Sequence, residues 1–245
     1  MTVRSAAALV LAAATLAALG AAPALAADHT QHLDVAAELV RQPAGKPWIV
    51  NLTIGAQLGS ADGTVPEPVN HMIFKFTRGA KVHPEAFRTC TLQIIRDKGP
   101  AGCPQGSRLG DGKAVANALQ TDFPATIDVF NAPASGKDAR LIIYARALGT
   151  VVVPLVGTLK RTSGRYGYTL DVPVPRIRTV GDMDASITSF EVTVGGIGRR
   201  HVPFIEAPTS CTKPGWPFFG SFTYADGASG TSAATIPCLL EAVDG

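Results

Sequence analysis

Short segments in which apolar residues occupy every second position recur along most of the chain, and this period of two constrains its fold more than any other feature. The clearest of these segments lie at residues 50–54, 74–76, 90–94, 127–129, 141–145, 170–174 and 190–194. Successive side chains of a β-strand point to opposite faces of a sheet, so a period of two places all the apolar residues on one face. The sequence therefore predicts sheets that are covered on one side and solvated on the other.

About ten to twelve such segments occur, separated by Gly, Pro, Asp and Asn. No stretch after residue 27 keeps helical spacing for three turns, although Leu33–Arg41 fits either a short helix or a strand. Many short strands with regular turn signals predict an all-β fold, an antiparallel β-sandwich of immunoglobulin-like or jelly-roll-like type. Pro154, Pro173 and Pro175 fall in strand-like runs and are expected at edges or bulges, because proline cannot donate a ladder hydrogen bond.

The first 26 residues have the pattern of a cleaved secretory signal peptide. Arg4 supplies the positive charge, an Ala/Leu/Val-rich run follows, and small residues at Ala24 and Ala26 fit the signal peptidase, so cleavage is expected after Ala26. Residues 27–245 are then expected to form a single β-sandwich domain without a transmembrane segment. The expected location is outside the cell, in the periplasm or in the cell envelope.

The charge balance argues against a nucleic-acid partner. The chain has 22 Lys and Arg against 19 Asp and Glu, and loss of the segment that contains Arg4 leaves a net charge of +2. The basic residues are also scattered along the sequence. A balance this small indicates neither nucleic acid nor anionic lipid as a partner.

Four cysteines, Cys90, Cys103, Cys211 and Cys238, all lie in the predicted mature chain. An even number in an exported chain indicates disulfides, and three pairings are formally open. We favour Cys90–Cys103 with Cys211–Cys238, because these pairs close the shortest loops. A four-cysteine zinc site is not expected, because no Cys-x-x-Cys pair occurs.

No segment supplies a complete catalytic motif. In the segment Cys103–Lys113 the Gly-Lys ending is typical of phosphate-binding loops, but Ala114 stands where such a loop needs a hydroxyl. We interpret this segment as a turn with glycines at positive φ, followed by a strand over Ala114–Leu119. For a polysaccharide hydrolase, Glu191, Glu206 and Asp226 would be the available acids, but no catalytic residue is assigned.

Two segments are candidates for ligand binding. Trp216, Phe218 and Phe219 could stack on sugars if exposed, or could fill the core near Cys211 if buried. Cleavage after Ala26 would create the terminus Ala27-Asp28-His29. Its α-amine, two amide nitrogens and imidazole would form a square-planar site for Cu(II) or Ni(II), and no other cofactor is expected.

Part of the sequence resembles a group of exported bacterial β-sandwich proteins of unknown function. The resemblance spans most of residues 33–240 and lies in short Cys- and Gly-based motifs. These motifs are Cys90…Cys103-Pro104-x-Gly106-Ser107-x-Leu109-Gly110-x-Gly112, then Ile187-Thr188-Ser189-Phe190, then Cys211…Trp216…Phe222-x-Tyr224-x-Asp226-Gly227…Pro237-Cys238. The resemblance implies export, the sandwich fold and the local disulfide pairing, and it implies no activity.

Together these patterns favour a non-catalytic structural or binding module over an enzyme. The alternatives are a secreted polysaccharide hydrolase and a Cu(II)- or Ni(II)-binding protein. Cell-wall or extracellular polysaccharide is the candidate partner.

Overall fold

The structure, a computed structural model, describes residues 28–40, 48–179, 183–211 and 213–238. The predicted signal peptide and Ala27 lie outside these residues. The strands are β1 (His29–Val40), β2 (Ile49–Ser60), β3 (Val69–Thr77), β4 (Lys81–Val82), β5 (Arg108–Ala118), β6 (Thr121–Ser135), β7 (Asp138–Ala147), β8 (Val151–Arg161), β9 (Tyr166–Pro173), β10 (Ser186–Val194), β11 (Ile205–Glu206), β12 (Trp216–Tyr224) and β13 (Ser229–Ile236). A single α-helix among these residues, α1, spans Leu92–Lys98, and short 3₁₀ turns occur at Pro84–Ala86, Pro100–Gly102 and Arg199–His201. Within this part of the chain no helix has the length and apolar character needed to cross a membrane.

The long strands form one continuous sheet in the order β1-β2-β10-β5-β6-β7-β8-β9-β3-β12-β13. All the strand pairings are antiparallel. The short strand β11 pairs with one end of β2 and with β4. The predicted all-β antiparallel fold is confirmed.

The sheet folds back on itself, so that its two halves pack inner face to inner face. Phe74 of β3 contacts Phe190 of β10 edge to face, with ring centroids 5.9 Å apart, although five strands separate β3 from β10 in the sheet. The predicted alternation produces this interior. In β12, for example, Trp216, Phe218 and Phe222 are buried, whereas the alternating residues Pro217, Phe219 and Ser221 are partly exposed.

The two outermost strands, β1 and β13, face each other along a seam without a backbone ladder. The sheet has eleven long strands, and each runs antiparallel to its neighbours. The first and the eleventh strand, β1 and β13, therefore run in the same direction. Among the described residues, β1 pairs only with β2, and β13 only with β12. Side chains bridge the seam instead: Gln31 Nε2 donates to the Thr231 carbonyl at 3.2 Å, and Leu33 N donates to Ser232 Oγ at 3.1 Å.

The strand predicted from the alternation at residues 90–94 is wrong, because this segment enters the helix α1. The Thr91 hydroxyl accepts a hydrogen bond from Ile94 N and thereby caps the helix. Ile95 is buried against Phe130 and Ile142, on the outer face of β6 and β7. Three alternating residues are too few to distinguish a strand from one helical turn, and here capping and packing decide.

The glycine-rich segment after Cys103 is only partly the predicted turn. Gly106 has a positive φ of 82°, but Gly110 and Gly112 lie within β5, which begins at Arg108. A Cβ at Gly110 or Gly112 would overlap the backbone of the adjacent strand β10. The two glycines thus permit close approach of strands rather than a turn.

The predictions for residues 33–41 and for the three prolines agree with the observed strand bounds and pairing. Leu33–Arg41 is not helical where it is described, because β1 extends to Val40. Pro154 lies in the part of β8 that pairs only with β7, as expected for a locally unpaired edge. Pro173 is the last residue of β9, and Pro175 lies beyond it.

The predicted disulfides Cys90–Cys103 and Cys211–Cys238 are both present. The first holds α1 against the outer face of β6 and β7. The buried Asn131 side chain holds the loop that precedes α1. Its amide nitrogen lies 2.9 Å from the Pro84 carbonyl, 3.4 Å from the Phe87 carbonyl and 3.3 Å from the Arg88 carbonyl. No sequence pattern indicates this role for Asn131.

Candidate binding surface

Strands β7, β8, β9 and β3 bring basic side chains together on the outer face of the sheet. Lys75 of β3 lies opposite Thr169 of β9, and Thr169 lies opposite Lys160 of β8. Neighbouring strands are about 4.8 Å apart, so the backbones of the two lysines are roughly 10 Å apart. In an adjacent outward-facing row, Arg140 of β7 lies opposite Thr158.

Two half-buried aromatic rings lie within this basic surface. The Lys75 Nζ atom is 5.1 Å from the centroid of the Phe219 ring, and the Tyr166 and Phe219 centroids are 6.3 Å apart. The guanidinium carbon of Arg165 lies 5.7 Å from the Tyr166 centroid. We use the name cationic face for the surface formed by Lys75, Arg140, Lys160, Arg165, Tyr166 and Phe219.

The four cations of this face have no carboxylate partner within the described residues. Asp171, which lies opposite Thr158, is engaged by His71, whose Nε2 atom is 2.8 Å from the carboxylate. The cationic face therefore presents four cations that form no ion pair among the described residues, beside aromatic carbon.

The other half of the sheet is acidic on its outer face. Its outward-facing carboxylates come from β1, β5, β6 and β10, and they include Asp34, Glu38, Asp111, Asp128 and Glu191. Arg108 neutralises part of this charge, at 2.7 Å from Asp128, and Lys113 lies 3.3 Å from Glu191. The small net charge thus conceals two oppositely charged faces.

The cationic face cannot be read from the sequence, because its residues are far apart in the chain. The period of two does assign Lys75 to the side opposite Phe74 and Phe76. It does not reveal that β3, β9, β8 and β7 are neighbours, which depends on strand pairing. Scattered basic residues therefore became one surface only through the topology.

The predicted aromatic ligand site is divided between the two faces of β12. Trp216 and Phe218 are buried inside the folded sheet, whereas Phe219 lies outside on the cationic face. The Trp216 indole N–H donates to the Ser210 carbonyl at 3.3 Å, next to the disulfide of Cys211. The three residues therefore do not form one platform.

One end of the seam contains a cluster of polar residues. The His29 ring stacks on the Tyr224 ring, with centroids 3.8 Å apart, and its Nε2 atom donates to Asp226 at 2.9 Å. This hydrogen bond lowers the pKa of Asp226 below its usual range. Burial, followed by the nearby charge of Asp226, raises the pKa of Tyr224 to about 12.

His29, one residue of the predicted copper site, belongs to this cluster. A terminus with histidine at its third position chelates through the imidazole Nδ1, and Nδ1 of His29 is buried and has no hydrogen-bond partner in the described chain. Asp226 accepts the hydrogen bond from His29 Nε2. A carboxylate in this position commonly orients a metal-bound histidine. Asp28 precedes β1, and Ala27 is outside the described residues, so the Ala27-Asp28-His29 site stays a prediction.

We expect the Tyr224 phenol to make the protein sensitive to alkali. The folded state favours the neutral phenol, whereas an unfolded tyrosine loses its proton near pH 10. The free energy of unfolding should therefore fall as the pH rises from 10 to 12, in addition to any general alkaline effect. Urea unfolding from pH 9 to 11 should show a steeper loss for the natural chain than for Tyr224→Phe. An ultraviolet difference titration of the natural chain against Tyr224→Phe in which the Tyr224 phenol ionises near pH 10 would contradict this expectation.

The acids considered for a hydrolase lie in three separate places. Glu191 lies on the acidic outer face, and Asp226 pairs with His29 at the seam. Glu206 of β11 lies 3.3 Å from Lys81 Nζ and 3.0 Å from His83 Nε2. The structure therefore does not place any two of these three acids across one cleft from each other.

No group of three or more metal-ligating side chains occurs among the described residues.

Both disulfides agree with those that the family resemblance implies. Comparison of the chain with protein-family models, curated proteins and solved structures finds no match.

Proposed function

We propose that the protein is a non-catalytic binding module that holds an acidic polysaccharide against its cationic face, outside the cytoplasm. The observation that supports this function is the group of four cations around two half-buried rings, none of which has a carboxylate partner in the part of the chain that the structure describes. Lysine and arginine form charge-assisted hydrogen bonds with carboxylates, and aromatic rings offer apolar area to sugar rings. A chain of uronic acid residues combines both chemical groups.

The two disulfides support an oxidising compartment, because such bonds persist mainly in exported proteins. Cleavage of the signal peptide after Ala26 and a bacterial cell-envelope location belong to the same proposal. An extracellular polysaccharide would be the accessible polyanion there.

Reversal of two exposed charges on the cationic face should weaken polygalacturonate binding by about tenfold or more. Each exposed ion pair contributes up to about 1 kcal/mol, and two reversals also introduce repulsion. The test variant is Lys160→Glu/Arg165→Glu, measured by isothermal titration calorimetry at low salt. Arg96→Glu/Lys98→Glu is the matched control, because it changes the net charge equally at exposed positions of α1. Equal losses in both variants would contradict the assignment of the surface.

Two further ligands, dextran and inorganic polyphosphate, distinguish recognition of sugar rings from attraction to negative charge alone. Neutral dextran should not bind, and Phe219→Ala should weaken binding of polygalacturonate but not of inorganic polyphosphate. If Phe219→Ala weakened the binding of both polyanions, the result would contradict a role for Phe219 in stacking on sugar rings. Release of reducing sugar ends during the titration would favour the hydrolase alternative over a binding module.

A further inference from the structure

Two adjoining cavities lie inside the folded sheet, away from the cationic face. Their volumes are about 90 and 110 Å³, and Ile54, Leu141, Leu170 and Val194 contribute to the walls of both. Packed protein interiors contain few voids larger than a water molecule. Two neighbouring cavities of this size therefore require an explanation.

The accessible walls of both cavities are apolar. Trp216 and Phe218 contribute to the first cavity, and Met72 and Phe190 contribute to the second. A buried water needs two to four polar partners, and an apolar cavity of about 150 Å³ in another protein stays dry and binds benzene. The chemistry of these walls therefore suits hydrocarbon rather than water.

Small side chains maintain the space. Ala37 and Ala80 line the first cavity, and Ala114 and Ala145 line the second. A larger aliphatic residue at any of these positions would extend into the cavity. Ala37 of β1 and Ile236 of β13 also place the first cavity directly behind the seam, where the described residues of the two strands form no backbone ladder. Local opening of such a seam gives a small molecule a route to the interior.

We propose that the two cavities form one binding site for a small uncharged apolar molecule, the size of an aromatic ring or a short alkyl chain. This site uses the inner face of the sheet, so it does not depend on the polysaccharide-binding function. Trp216 and Phe218 then act as walls of an interior site, whereas Phe219 belongs to the outer surface.

Benzene is the probe for this site. At about ten times its dissociation constant, benzene should raise the melting temperature by about 3 °C or more, because it binds the folded state only. In a methyl-labelled protein the resonances of Ile54, Leu170 and Val194 should shift together as benzene is added.

Ala37→Leu/Ala114→Leu should raise the melting temperature without benzene and remove most of the benzene effect, because leucine occupies the space. The control is Ala36→Leu/Val115→Leu, which changes neighbouring residues on the outer face of the same strands. The control should keep the full benzene effect.

Wild-type methyl resonances that do not move at saturating benzene would overturn the proposal, whatever the variants do. A cavity-filled variant that keeps the full benzene effect would also overturn it. Polygalacturonate binding should be the same in the wild type and in the cavity-filled variant, so a failure of one proposal is distinguishable from a failure of the other.

Discussion

Removal of the two disulfides is expected to destabilise the protein more than any other change considered. The loop-entropy relation gives roughly 3 kcal/mol for Cys90–Cys103 and about 3.5 kcal/mol for Cys211–Cys238, which span separations of 13 and 27 residues. Their sum is comparable to the whole stability of a typical domain, about 5–15 kcal/mol. The doubly reduced protein should therefore unfold at a much lower urea concentration than the oxidised protein.

The measurement is urea unfolding, followed by circular dichroism with and without reductant. Cys90→Ala/Cys103→Ala and Cys211→Ala/Cys238→Ala should each account for part of the loss. Reductant should have no further effect on a variant that lacks all four cysteines. An unchanged midpoint in the reduced wild type would show that the closed loops contribute little to stability.

Phe222→Ala is expected to lower the free energy of unfolding by about 4 kcal/mol. Phe222 is fully buried on the inner face of β12, and its ring contacts Phe74 edge to face at 5.9 Å. Removal of a buried phenyl ring loses its transfer free energy and leaves a cavity, which together cost about 3–5 kcal/mol. The expected result is a lower urea midpoint with an unchanged m-value.

Phe219→Ala is the matched control, because Phe219 lies on the outer face of the same strand. Its half-exposed ring packs against Lys75 and Tyr166, so we expect a loss below about 1 kcal/mol. The two variants should thus separate stability from polysaccharide binding, since only Phe222→Ala strongly destabilises and only Phe219 lies on the cationic face. Similar losses of stability in both variants would contradict the assignment of inner and outer faces.

Much of the architecture followed from local patterns. The period of two correctly assigned the inward-facing positions in β2, β3, β6, β7, β9 and β10, and Pro154 indicated a locally unpaired edge. The short separations between cysteines favoured the pairing that the structure has. These predictions succeeded because each depends on residues close together in the sequence.

The predictions that failed concern residues whose structure depends on contacts with distant parts of the chain. Residues 90–94 alternate like a strand, but the Thr91 cap and the packing of Ile95 on β6 and β7 make the segment helical. Gly110 and Gly112 looked like turn residues, but the close approach of β10 explains them. Asn131 shows no signal in the sequence, because its partners are backbone carbonyls more than 40 residues away.

The sequence by itself determined that the fold is all-β and which residues of the alternating segments in β2, β3, β6, β7, β9 and β10 face inward. It favoured the cysteine pairing that the structure has. Only the tertiary structure decided the strand order, the parallel seam, the two interior cavities and the grouping of Lys75, Lys160, Arg140 and Arg165 on one face. The reason is physical. Alternation is a property of neighbouring residues, whereas a surface or a cavity depends on which distant strands exchange hydrogen bonds.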